Sequence, residues 1–375
     1  MRVLSYIALA FSVSLNVHAG QQYEVLIDAG SSGSRISLYQ VYYNTNEVPY
    51  LNLLVQKSIT PGLSSFSQNP QGSIPYIDSL LQQTNEAMTN FDIHNDQLSI
   101  YIYATAGMRK LTEEQQTAIY TVLKNHLATR GYAKYEVKTI TGRDEAIYDW
   151  VGVNYLAGTF LNESASVGTL DMGGASAQIT FEVKDQTVAK EDLAELKIGK
   201  KTYQLFAHSF LGLGADVALK NNSIPACFPN GYKYAKEQLG AFQTGACQDH
   251  ITSFLNSYSI DKIVPKVPDG MKFYAFSKYY YVSNLYKITE TPIPFVINYI
   301  NNKFCNQNNW AEMQEKYPLI NPNYLNSQCF SGEYVYVLLK RFGFSDTSTN
   351  LEIVDQINSY SVGWNIGAAL SLALK

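Results

Sequence analysis

The chain has 375 residues, with 28 Lys and Arg against 32 Asp and Glu for a formal charge of −4, and 46% of its residues are hydrophobic. That length and apolar content supply cores for one large or two ordinary domains and exclude a disordered chain. With 16% charged residues and no acidic tail, the composition also excludes an electrostatic footprint for nucleic acid.

In chain order, Arg2 and the apolar run Val3 to Val13, closing on Val17-His18-Ala19, read as a signal peptide over residues 1–19. The run is short and broken by Ser5, Ser12 and Ser14, whereas a membrane anchor needs about 20 apolar residues; the stretch Ile366 to Leu374 is too short as well. A secreted or periplasmic protein without a membrane anchor is expected, and this places Cys227, Cys247, Cys305 and Cys329 in an oxidising compartment. Four cysteines allow three pairings. Sequence neighbours, Cys227 with Cys247 and Cys305 with Cys329, need the least chain reorganisation, and free buried thiols are the alternative.

The mature chain opens on a short pattern that recurs. Asp28-Ala-Gly-Ser-Ser-Gly-Ser-Arg35 is flanked by strand-like runs at Tyr23 to Ile27 and Ile36 to Tyr39, and Asp171-Met-Gly-Gly-Ala-Ser-Ala-Gln178 by runs at Val167 to Leu170 and Ile179 to Val183. Each reads as a hairpin with a Gly/Ser-rich tip, and the duplication predicts two similar α/β domains whose tips face each other across a cleft. Between the tips the sequence predicts a strand at Leu98 to Tyr103, a helix over Glu113 to Thr129, a strand at Glu136 to Ile140 and a helix opening near Arg143. Lys184 to Tyr203 reads as a charged, solvated excursion without catalytic content. Turn signals and all four cysteines gather in Phe206 to Tyr334.

The tips carry the chemistry. Each sets an aspartate at a strand end with glycines directly after it, so the backbone can bend and its N–H groups can converge on an anion. Ser31, Ser32, Ser34 and Ser176 add hydroxyl donors. Two such cradles suit a polyphosphate with a divalent cation, which Asp28 and Asp171 would hold through its water shell. One tip alone would read as an ordinary turn; two matched tips point to phosphate. No Gly-x4-Gly-Lys-Ser/Thr, Gly-x-Gly-x-x-Gly, Gly-x-Ser-x-Gly or His-Glu-x-x-His pattern occurs, and the five histidines show no metal-ligand spacing.

Five ordered motifs together resemble the apyrases, nucleoside triphosphate diphosphohydrolases of the actin and sugar-kinase superfamily. They are Asp28 to Arg35, Tyr103 to Arg109, Gly142 to Trp150, Asp171 to Gln178, and Gly363-Trp-Asn-Ile-Gly367. The resemblance implies two ribonuclease H-like (actin-like) domains with the active site between them: domain I from 20–142 and 358–375, domain II from 143–357. It implies that Glu145 is the catalytic base and that Ser176 and Gln178 orient the attacking water. Phosphate would be held by Ser31, Ser32, Gly33, Ser34 and Arg35, by Thr105, Ala106 and Gly107, and by Gly173, Gly174, Ala175 and Ser176. Arg35 and Arg109 either touch phosphate or pair with a carboxylate inside the fold. Trp364 is expected to buttress the cleft. The cysteine pairs look like the family's disulfides.

A base ring would stack on aromatics of the second domain, with Tyr334 and the run Phe273 to Tyr281 as candidates. The implied protein is a monomeric apyrase that hydrolyses nucleoside tri- and diphosphates with Mg, Ca or Mn. The alternatives are an exopolyphosphatase or guanosine-pentaphosphate phosphohydrolase of the sister family, and an actin-like nucleotide-gated binding protein.

Overall fold

Strand β1 (Gln22–Ala29) carries Val25, Leu26 and Ile27 in succession, all fully buried. Such a run requires cover on both faces of its sheet. A computed structural model, describing residues 22–43, 48–162, 164–184 and 188–375, shows how that cover is supplied; the signal segment read from the sequence lies outside the described residues. β2 (Ser34–Tyr42), β3 (Tyr50–Ile59), β4 (Leu98–Ala104) and β5 (Lys134–Thr139) complete a sheet of order β3-β2-β1-β4-β5. β1, β2 and β3 run antiparallel, whereas β4 and β5 continue parallel to β1. Val25, Ile27, Ile100 and Ile102 point into one core, Leu26, Tyr101 and Tyr103 into another.

The second sheet repeats this plan. β6 (Gly168–Met172) and β7 (Ser176–Glu182) form its central hairpin, β9 (Lys201–Leu211) pairs with β7, and strands Phe273–Ser277 and Leu351–Ile353 run parallel to β6. The hairpins share a register as well as a plan: Asp28 faces Arg35 across the first, and Asp171 faces Gln178 across the second. Between the sheets lie helices Gly142–Leu156 and Trp364–Ala373, which pack against each other. A Cβ on Gly367 would stand 1.9 Å from the Tyr148 carbonyl oxygen, so only glycine allows this crossing.

Residues Lys184 to Tyr203 depart from the sequence expectation. The stretch contains β8 (Leu193–Ile198), an edge strand on β9, with Ala194 and Ile198 buried in the core between the sheets. Arg143 donates to the Leu193 carbonyl, and Asp192, buried, lies 2.7 Å from His208 Nδ1. Its charged side chains belong to the solvated face of a strand whose other face is packed. Cys227 is bonded to Cys247 and Cys305 to Cys329, the sequence-neighbour pairing, and no described cysteine is free. No helix among the described residues is long and apolar enough to cross a membrane.

Candidate active site

Both tips open into one cleft of about 950 Å³. Its inner wall carries Asp28, Gly30 to Arg35, Thr105, Ala106, Glu145 and Asp171 to Ser176; its outer wall carries Ser277, Lys278, Tyr280, Tyr281, Tyr324 and Trp364. Gly107, expected to hold phosphate, is not on that wall. A Cβ there would come 2.8 Å from Ser31 Cα, so this glycine lets the Thr105 turn nest against the first tip. Trp364 opens the last helix, lines the cleft at 5% exposure and packs against Tyr148 with ring centroids 6.4 Å apart.

Glu145 owes its position to a helix start. After β5, Thr141 caps helix Gly142–Leu156 by accepting from Asp144 N–H at 3.0 Å, and the chain turns so that the fourth helical residue faces the cleft. Arg109 Nη2 donates to Glu145 Oε2 at 2.8 Å and to Ser176 Oγ at 3.2 Å. Gln178 Nε2 donates to the same Ser176 Oγ at 2.8 Å and to Ser209 Oγ at 2.9 Å. Ser176 Oγ therefore accepts twice, which leaves its own hydrogen for a partner in the cleft. Gln178 itself lies just behind the wall, and its buried Oε1 is unpartnered. Burial pushes the Glu145 carboxyl up, and the adjacent Arg109 guanidinium opposes that rise.

The cleft floor holds an excess of acid. Burial pushes Asp28 up to about 7, with Arg35 acting the other way, and pushes Asp171 up to about 7, with a hydrogen bond from Ser277 acting the other way. Oδ1 of each is buried without a partner. Asp149, one helical turn beyond Glu145 and fully enclosed, has neither oxygen partnered, and burial raises it well above the usual carboxylate range. Asp28, Asp171 and Glu145 outnumber the guanidinium groups of Arg35 and Arg109 beside them, and a divalent cation would offset that excess together with the cost of ionising the two aspartates. The orphaned oxygens of Asp28 and Asp171 suit water-mediated attachment of such an ion. Among the described residues no three acidic, His or Cys side chains converge closely enough to bind a metal directly.

The base-stacking expectation for Tyr334 does not hold. Its ring is 1% exposed, its hydroxyl donates to the Leu213 carbonyl at 2.8 Å, and it stacks on Phe330 inside the second domain's core. Phe273, Phe276 and Tyr279 are likewise buried. From that run only Tyr280 and Tyr281 reach the cleft, joined by Tyr324, and Tyr281 and Tyr324 are each 64% exposed. Sequence reasoning gave no place to Asp149, Ser277, Lys278 or Tyr324. Asp149 had a signal in its four-residue spacing from Glu145, which puts both acids on one helix face. The others are brought to the cleft by tertiary packing alone.

Two sheets of one plan, with paired acidic hairpins over a shared cleft, define an actin-like two-domain fold built around that cleft. Solved structures agree on the fold. A nucleoside triphosphate hydrolase from Neospora caninum superposes with TM-score 0.69 at 13% identity, covering 94% of this chain and 92% of that one. A Ppx/GppA protein from Aquifex aeolicus gives TM-score 0.57 at 13% identity, covering 95% and 98%. The GDA1/CD39 (nucleoside phosphatase) family profile matches residues 14–228 and 233–375, and the chain belongs to that family. Its relatives include mouse ectonucleoside triphosphate diphosphohydrolase 1, 26% identical over 99% of this chain and 85% of that protein. Human nucleoside diphosphate phosphatase ENTPD5 is 28% identical over 98% and 91%, and Caenorhabditis elegans nucleoside-triphosphatase ntp-1 is 29% identical over 93% and 73%.

Proposed function

We propose that this nucleoside phosphatase acts outside the cytosol on both nucleoside tri- and diphosphates, by direct attack of water on the terminal phosphorus. The observation that carries the reading is the network of Glu145, Arg109, Ser176 and Gln178 beside the two tips. Glu145 takes a proton from water as the oxygen–phosphorus bond forms. Ser176 O–H faces that water, and Gln178, from behind the wall, fixes Ser176 Oγ through its Nε2. The anhydride oxygen leaves with the shortened nucleotide. Backbone N–H groups of Ser31 to Arg35 and Gly174 to Ser176, with Thr105 and Ala106, hold the transferred phosphate, while the Gly173 N–H closes the tip onto the Ser176 carbonyl.

A magnesium, calcium or manganese ion held by Asp28 and Asp171 through water would screen the phosphate oxygens and offset charge building on them. Tyr280, Tyr281 and Tyr324 offer stacking faces for a base at the cleft mouth, which supports a nucleotide over a bare inorganic chain. An extracytosolic location is supported by the two disulfides and by the apolar segment after Arg2.

Phosphate release from a panel of nucleoside tri-, di- and monophosphates and inorganic polyphosphate, each with and without chelator, tests the reading. Cation-dependent release from both tri- and diphosphates is expected. Release from polyphosphate alone would replace it with an exopolyphosphatase, and a single slow turnover with no steady state would leave a nucleotide-gated switch.

A further inference from the structure

The bases lining the cleft, among the described residues, are Arg35 and Lys278. Arg35 stands at the inner end, close enough to Asp28 and Asp171 to lower both. Lys278 stands further out. It is the first residue of helix Lys278–Leu285, directly after Ser277, which adopts φ 58°, ψ −121° at the end of its strand. A non-glycine residue in that region is strained, and here the strain turns the chain so that Ser277 meets Asp171 while Lys278 faces the cleft.

Two groups neighbour the ammonium. Lys278 Nζ is 3.4 Å from Asp216 Oδ1 and 5.5 Å from the centre of the Tyr324 ring. Asp216 in turn abuts the second tip. Its N–H donates to the Gly174 carbonyl at 3.0 Å, and a Cβ built on Gly174 would lie 2.5 Å from Asp216 Oδ2 and 2.9 Å from Ser31 Oγ. The Lys278–Asp216 pair therefore spans the gap from the paired tips to the aromatic mouth. The pair is loosely held, since its side chains are 27% and 55% exposed, and a half-exposed Lys–Asp pair at this distance gives little stability. A phosphate oxygen entering the gap offers the ammonium a charge-assisted partner that competes with the half-exposed Asp216 carboxylate.

Resting on the reading of the cleft as a nucleotide site, we infer that Lys278 is a specificity-determining residue that leaves Asp216 to hold the ribose-proximal phosphate of the substrate. The terminal phosphate sits by Glu145 and the base by Tyr281 and Tyr324, so the phosphate next to the ribose passes Lys278. This contact is made equally in the ground state and the transition state, so it acts on binding rather than on turnover.

The test separates the two phosphate positions. Lys278→Met keeps the apolar stem against Tyr324 and removes the charge; Lys278→Arg restores a cation; thermal melting confirms that both fold. With a nucleoside diphosphate and saturating magnesium, Lys278→Met should raise KM about tenfold and leave kcat within about threefold, with Lys278→Arg close to wild type. Calorimetric titration with adenosine monophosphate, whose only phosphate is the ribose-proximal one, should show about tenfold weaker binding to Lys278→Met. Competitive inhibition by inorganic phosphate, which occupies the terminal position, should be unchanged. Unchanged KM and monophosphate affinity in Lys278→Met, or an equal loss for monophosphate and inorganic phosphate, overturns the inference. A wild-type protein that binds no nucleotide and hydrolyses none overturns the parent reading instead.

Discussion

The guanidinium of Arg109 lies 2.8 Å from the Glu145 carboxylate, with side-chain exposures of 14% and 8%. Burial raises Glu145 and Arg109 opposes it, so removing the cation should raise the carboxyl further. A general base works ionised. The acidic limb of the kcat/KM profile should therefore move to higher pH in Arg109→Met, with the basic limb in place. Steady-state rates across the pH range check this. An unmoved acidic limb would detach Arg109 from the titration of Glu145.

Replacing Glu145, the proposed base, is the sharper experiment. Glu145→Gln keeps the shape and the contact with Arg109 but cannot take a proton, and turnover should fall on the order of 10²- to 10⁴-fold while nucleotide binding survives. Had Glu145 merely favoured the helix start through the dipole, the change would cost a few tenths of a kcal/mol of stability and little activity. Stopped-rate assays and calorimetric nucleotide binding on one preparation tell the two apart.

The proposed cation would enter through charge. Asp28 and Asp171 are each raised to about 7 by burial, and an ion between them would offset that cost. Exhaustive EDTA treatment should abolish hydrolysis, and magnesium, calcium or manganese should restore it. Asp171→Asn should need much more cation for half-maximal rate. Full activity after chelation would take the ion out of the mechanism.

Two tyrosines should behave in opposite ways. Tyr334→Phe loses the hydrogen bond to the Leu213 carbonyl and should cost about 1 kcal/mol of stability with KM unchanged. Tyr281→Ala, at the exposed mouth, should raise KM for nucleotides and leave the melting temperature nearly alone. Denaturant melts and KM values for the pair check both halves.

Mild reduction should destabilise without inactivating. The disulfides close loops with sequence separations of 20 and 24, and each restricts the unfolded chain by roughly 3 kcal/mol in the loop-entropy account. None of the four cysteines lines the cleft. Reduced protein should melt at lower temperature and keep its initial rate well below the melting point; inactivation without melting would show that the second-domain loops shape the nucleotide site directly.

The sequence by itself determined the parts whose signal is local. Each acidic tip is written in seventeen consecutive residues, because an apolar strand, an aspartate, a glycine bend and a second strand follow one another without a break. The same holds for Glu145, three residues after a helix start that Thr141 caps, and for the pairing of neighbouring cysteines. Only the tertiary structure decided which aromatic rings meet the cleft. Tyr279, Tyr280 and Tyr281 are indistinguishable in composition, yet the helix turns the first into the core and the next two toward the cleft. Tyr334 looks equally suited from sequence, but its helix packs that face inward. Lys278, Asp216 and Ser31 are far apart in the chain and come together because the two sheets share a plan and set their hairpins over one gap. Local pattern fixes what a residue can do, and long-range packing of side chains fixes what it meets.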